Sequence, residues 1–157
     1  MKSKVYSINL SVSREDNSHI YFKCDGGRFD SAYTYKMNVD CLYKLTFACK
    51  PHIVIEQVKI DDKVLPLDED TKDLNRSLYK CVWKSDSIIP TKSKGRSPLR
   101  IVLDIRDAGS VEMILQCKFY KRNSSHDRWG TQVNSIQFDY APKDETGPLA
   151  VIKQSIL

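Results

Sequence analysis

The stretch from Ser110 to Tyr120 constrains this chain more than any other, because Val111, Met113, Leu115, Cys117 and Phe119 fall at every second position. A period of two is the side-chain repeat of a β-strand. Glu112, Gln116 and Lys118 take the opposite face, interrupted by Ile114 and Tyr120. One dry face and one wet face suit a strand that covers a core from one side only. Strands commonly run about 5 or 6 residues, so this longer one predicts a central strand with a neighbour on each edge. It runs into a basic, polar segment from Lys121 to Arg128, closed by Trp129-Gly130.

The same alternation recurs along the chain. Ile8, Leu10 and Val12 share a face, as do Cys41, Tyr43, Leu45, Phe47 and Cys49, then Tyr79, Cys81 and Trp83, then Leu99, Ile101, Leu103 and Ile105. Turn chemistry separates these runs. Asp25-Gly26, Asp61-Asp62 and Asp107-Ala108-Gly109 read as hairpin turns, since Asp and Gly tolerate positive φ. The first predicts a return strand from Arg28 to Lys36, and Val133 to Tyr140 reads as the last clear strand. Pro66 confines the strand after Asp61-Asp62 to a sheet edge. Helical periodicity is absent. The expectation is a single all-β domain over 1–157, an antiparallel sandwich or barrel of about 8–10 strands. In it, the tail 149–157 is either exposed or a short edge strand.

Composition narrows the function classes. The 157 residues are 41% apolar and 29% charged, with no apolar run near the length of a membrane span. The opening MKSKVYSINL alternates, unlike the apolar block of a signal peptide, and Lys2 stands where N-myristoylation needs glycine. Five cysteines without a CxxC pair read as reduced thiols packed as small hydrophobes, which predicts a cytoplasmic protein. GxSxG, HExxH, GxGxxG and Walker patterns are missing, and the three histidines have no ligand at metal spacing. No enzyme, metal or cofactor is expected. The charge of +5 permits an acidic partner or an anionic membrane face. Single-stranded nucleic acid is a weaker alternative, because the excess is small and dispersed.

Several segments taken in order carry a resemblance: Cys24-Asp25-Gly26-Gly27-Arg28-Phe29, Pro90-Thr91-Lys92-Ser93, Gln116-Cys117-Lys118-Phe119-Tyr120, Trp129-Gly130 and the closing Ser-x-Leu. Together, from about Tyr6 to Leu157, they resemble the cannabinoid receptor-interacting protein 1 family. Departures at the N-terminus and at Asp68 to Asn75 mark a divergent member and point to an invertebrate one. The resemblance implies a non-enzymatic cytoplasmic adaptor that binds the cytoplasmic tail of a G-protein-coupled receptor. It also implies a fold similar to the immunoglobulin-like Rho GDP-dissociation inhibitor, whose relatives hold lipid tails between their sheets. A carrier of acyl or prenyl protein cargo is therefore the alternative reading.

Two surfaces are candidate partner sites. The Asp107-Ala108-Gly109 hairpin brings the segment before Leu99 and the segment after Tyr120 to one end of the fold. That end should gather Lys92, Lys94, Arg96, Lys121, Arg122, Arg128 and Trp129 into a basic docking surface for an acidic receptor tail on a monomeric protein, peripheral to the inner membrane face. The terminal Ser155-Ile156-Leu157 fits the pattern that PDZ domains capture by strand addition.

Overall fold

The computed structural model describes residues 5–70, 75–92, 94–142 and 149–157. One sheet runs in the order β13 (Leu149–Ile156), β12 (Ile136–Pro142), β1 (Tyr6–Arg14), β4 (Leu42–Lys50), β8 (Ser77–Lys84) and β7 (Asp68–Glu69). The other runs β11 (Thr131–Gln132), β2 (Tyr21–Cys24), β3 (Tyr33–Asn38), β10 (Gly109–Tyr120), β9 (Ser97–Ile105), β5 (Ile55–Ile60) and β6 (Lys63–Leu65). The two sheets enclose one core. β6 is the edge strand expected after Asp61-Asp62, and the count exceeds the expected range in part because β7 and β11 are only two residues long. Pieces that short carry no readable alternation.

β10 is the middle strand of its sheet. It pairs with β9 from Gly109 to Cys117, then with β3 from Cys117 to Tyr120. Its odd-numbered face from Val111 to Phe119 is fully buried, whereas Ile114 on the other face is 52% exposed. Each large apolar side chain so buried contributes about 1.5–3 kcal/mol. The facing layer comes from Ile8 and Leu10 of β1, Leu45 and Phe47 of β4, and Phe138 and Tyr140 of β12. Tyr140 also donates its hydroxyl to the Glu112 carbonyl of β10 at 3.0 Å, which ties sheet to sheet.

Two details depart from the sequence reading. The β3–β10 pair is parallel, while the other named pairs are antiparallel. After β3 the chain passes into the opposite sheet as β4, and parallel neighbours cannot be joined by a hairpin. The return strand after Asp25-Gly26 begins at Tyr33 instead of Arg28. A longer loop intervenes, closed at its base where Asp25 N donates to the Ala32 carbonyl at 2.6 Å. The other two turns form as expected, with Asp61, Asp62, Asp107 and Gly109 all at positive φ.

All five cysteines are free thiols: Cys49, Cys81 and Cys117 are buried, Cys41 is half-buried and Cys24 is exposed. Cys24 is thus not a core residue: it is the exposed last residue of β2, still paired with Tyr33 of β3. Burial pushes the Cys49 and Cys81 thiols up to about 12 from an ordinary 9.0, so almost no thiolate forms at neutral pH. A water-soluble thiol reagent should therefore label Cys24 quickly in the native protein and reach Cys49, Cys81 and Cys117 only on unfolding. Rapid native labelling of more thiols than Cys24 and Cys41 supply would contradict this packing.

Candidate functional site

The end of the sandwich opposite the Asp107–Gly109 turn is assembled from strand termini and two loops. Ser97 lies across from Cys117 in the β9–β10 ladder, so the segment entering β9 and the segment leaving β10 meet there. Thr91 fixes the first segment beside β10. Its N–H donates to the Phe119 carbonyl at 2.9 Å, and its Oγ1 accepts from the Phe119 N–H at 3.0 Å. The second segment turns where Ser124 N donates to the Lys121 carbonyl at 2.9 Å, then forms one 3-10 turn, His126–Arg128.

That turn is held from inside. In β1, Ile8, Leu10 and Val12 face the core, and Arg14 continues their face to the open end. Arg14, only 11% exposed at its side chain, forms an ion pair with Asp127, which is 1% exposed. Arg14 Nη1 also donates to Asn38 Oδ1 at 3.3 Å. Asn38 Nδ2 in turn donates to the carbonyls of Lys121 at 2.8 Å and Ser124 at 3.2 Å. The last residues of β1 and β3 thereby clamp the loop that follows β10. A cleft of about 560 Å³ lies between this clamp and the loop.

A second brace holds the other segment. Arg96 donates from Nε and Nη2 to the two oxygens of Asp25 at 3.0 and 2.9 Å, the two-pronged geometry that suits a carboxylate. Thr34 also donates its hydroxyl to Asp25, and the Arg96 guanidinium lies 4.3 Å from the centre of the Phe29 ring. Burial alone would raise the Asp25 pKa, but the Arg96 and Thr34 hydrogen bonds overcome it and hold the carboxyl below its ordinary value. Gln116 ties the brace to β10 by donating to Thr34 Oγ1 at 3.0 Å and to the Ser31 carbonyl at 2.9 Å.

The Trp129-Gly130 backbone is held as tightly. Buried Lys36 donates its ammonium to the Trp129 carbonyl. Burial, with Lys23 and Lys118 nearby, pushes the Lys36 pKa below the usual lysine value. Gly130 sits at φ +124, and a Cβ there would lie 2.5 Å from the Phe22 carbonyl oxygen. The Trp129 ring projects outward, 62% exposed. It meets His126 edge-on at 4.9 Å, and His126 stacks on Tyr120 at 6.0 Å.

The structure therefore sorts the candidate residues. Lys92, Lys94, Lys121, Arg122 and Arg128 are exposed and form no ion pair among the described residues. With Trp129 they make a basic rim carrying an aromatic ladder. Arg96 stands apart from that rim, its side chain 7% exposed and engaged with Asp25. Sequence reasoning missed Arg14, Asn38 and Asp127. The available signal was Arg14 at the next inward position of an apolar strand. At the chain end, Ser155 and Ile156 are half-buried in β13, opposite Gln137 and Ile136. Leu157 N–H donates to the Ser135 carbonyl at 2.8 Å, and its own carbonyl accepts from Asn134 N at 3.0 Å.

Comparison with known proteins places this arrangement. The family model described as CB1 cannabinoid receptor-interacting protein 1 matches residues 2–156. The proteins of that name from Rattus norvegicus, Mus musculus and Homo sapiens are each 30% identical over 155 residues, covering 96% of this chain and 94% of theirs. The chain belongs to the CB1 cannabinoid receptor-interacting protein 1 family.

Proposed function

We propose that this protein is a non-enzymatic cytoplasmic adaptor that binds the C-terminal tail of a cannabinoid-type G-protein-coupled receptor and tunes its signalling. Its relatives are named for interaction with the CB1 cannabinoid receptor, and that role is extended to this chain. The observation that supports the reading is the rim, where five exposed cations with no ion-pair partner among the described residues, and Trp129, lie on the segments at one end of the fold. A flexible acidic peptide meets there a fixed array of donors, and Arg122 and Arg128 can each grip a carboxylate with two bonds. The protein acts as a monomer and reaches the membrane through the receptor. A PDZ domain, as a further partner, gains the Leu157 backbone only after the end of β13 peels from Ser135.

The test is the affinity of a synthetic acidic receptor-tail peptide for wild type and for the Arg122→Ala/Arg128→Ala variant, at low and high salt. Exposed charges are screened over roughly 8 Å at physiological ionic strength. Wild-type affinity should fall steeply with salt, and the double variant should bind about tenfold or more weakly with a shallower salt slope. Affinity indifferent to both changes places the tail elsewhere.

A further inference from the structure

The two most exposed large apolar side chains among the described residues are Ile89, at 81%, and Trp129, at 62%. One exposed apolar residue alone is ordinary on a protein surface. These two stand together at the rim end, on different loops. Ser85 opens the first loop, just past β8: its N–H donates to the Cys41 carbonyl at 2.9 Å and its hydroxyl to the Asn38 carbonyl at 2.7 Å. Thr91 closes that loop beside Phe119 of β10, so the segment between them crosses the open end from one sheet to the other. Ile88 packs against the core from this segment, and Ile89 is left outside. Pro90 disfavours helical backbone at Ile89, and both ends of the segment are anchored, so the apolar tip stays out.

We infer that this end of the sandwich docks directly on an anionic lipid surface, with Ile89 and Trp129 dipping into the headgroup boundary and exposed cations resting on the headgroups. Lys92 and Lys94 follow Ile89 in the chain, and Lys121, Arg122 and Arg128 precede Trp129; all five are exposed. Each cation near such a leaflet strengthens binding about fivefold. A tryptophan suits the boundary, because its ring is apolar and its one N–H can stay wet. The exposed carboxylates at this end lie to one side. Glu15 and Asp16 follow β1, Asp40 precedes β4 and Asp86 follows β8, and those three strands belong to the opposite sheet. Like charge keeps that side off the leaflet, so the footprint tilts toward the segments that flank β9 and β10. This contact goes beyond the receptor reading, in which Ile89 has no part. A receptor tail leaves the membrane at the same surface, so the lipid contact and the tail contact reinforce each other through effective concentration.

The experiment sediments the full chain at low salt with two kinds of vesicle: phosphatidylcholine alone, and two parts phosphatidylcholine to one part phosphatidylserine. The mixed vesicles should carry the protein down and the neutral ones should leave it in solution. Trp83 is 4% exposed, so a blue shift of tryptophan emission on the mixed vesicles reports Trp129. Ile89→Asp should weaken mixed-vesicle binding about tenfold or more, since it removes one inserted apolar side chain and adds a repelled charge. Val64→Asp, at an exposed apolar position on β6, should leave it unchanged. Without vesicles, Ile89→Asp should bind the acidic tail peptide as wild type does. Wild type that stays in solution, equal binding to both vesicles, or Ile89→Asp that sediments like wild type each overturns the lipid contact, whatever the peptide result. If Ile89→Asp weakens the peptide, the tip belongs to the tail site and the lipid contact falls while the receptor reading stands.

Discussion

Replacing Arg96 with alanine should cost about 3–5 kcal/mol of folding stability, the penalty for leaving one member of a buried ion pair without its partner. Asp25 would keep its buried position and lose both guanidinium bonds, while Phe29 would lose the cation 4.3 Å above its ring. The pH dependence has a definite sign. In wild type the Asp25 pKa is depressed, so its contribution is complete above the ordinary carboxylate value, about 3.9, and is lost as pH falls through the lower folded-state value. In Arg96→Ala, burial is opposed only by the Thr34 hydrogen bond and the nearby Lys23, so the carboxyl moves up from its wild-type position. The deficit should therefore be largest near neutral pH and narrow in acid. Urea unfolding of both proteins at neutral and acid pH reads this directly. A loss of under about 1 kcal/mol, typical of an exposed pair, would mean that the guanidinium is solvated.

Gly130→Ala should be nearly as damaging, at about 3 kcal/mol, because two costs fall on one methyl group. The backbone conformation at φ +124 disfavours any side chain, and the new Cβ would sit 2.5 Å from the Phe22 carbonyl oxygen. Relief requires the loop to lift from β2, which pulls the Trp129 carbonyl from the Lys36 ammonium. Stability and peptide affinity should thus fall together, with Trp129 fluorescence shifting in the folded variant. A stable Gly130→Ala protein with unchanged tail affinity would show that this backbone plays no part in positioning the rim.

Much of this architecture was legible in the sequence because a period of two survives without knowledge of partners. Val111 to Phe119 and Tyr43 to Cys49 point their alternate side chains inward as their spacing predicts, and only Cys41, just before β4, is half-buried. The Asp107-Ala108-Gly109 turn was enough to bring Lys92 and Lys121 to one end, since a hairpin fixes which ends of its strands meet. Long-range polar pairing was not legible. Arg96 reads like Lys92 and Lys94, being one more cation in a polar loop, until the chain brings Asp25 and Phe29 against it. Asp127 reads as a solvated neighbour of His126, yet the 3-10 turn aims it inward at Arg14. The parallel β3–β10 pair was hidden for another reason: local turns report only consecutive strands, and β3 and β10 are joined through the opposite sheet.

The central claim is that the receptor tail docks on the rim, and mapping amide chemical shifts during titration with an acidic receptor-tail peptide tests it most directly. Shift changes should concentrate in residues 121–130 and in the exposed residues Lys92 and Lys94, and should fade when salt is raised. The distant β5–β6 hairpin, at the far edge of its sheet, should stay still. Changes concentrated along the β13 edge, or in the buried row of Met113, Leu115 and Cys117, would contradict the account and assign the partner to a strand edge or to the space between the sheets.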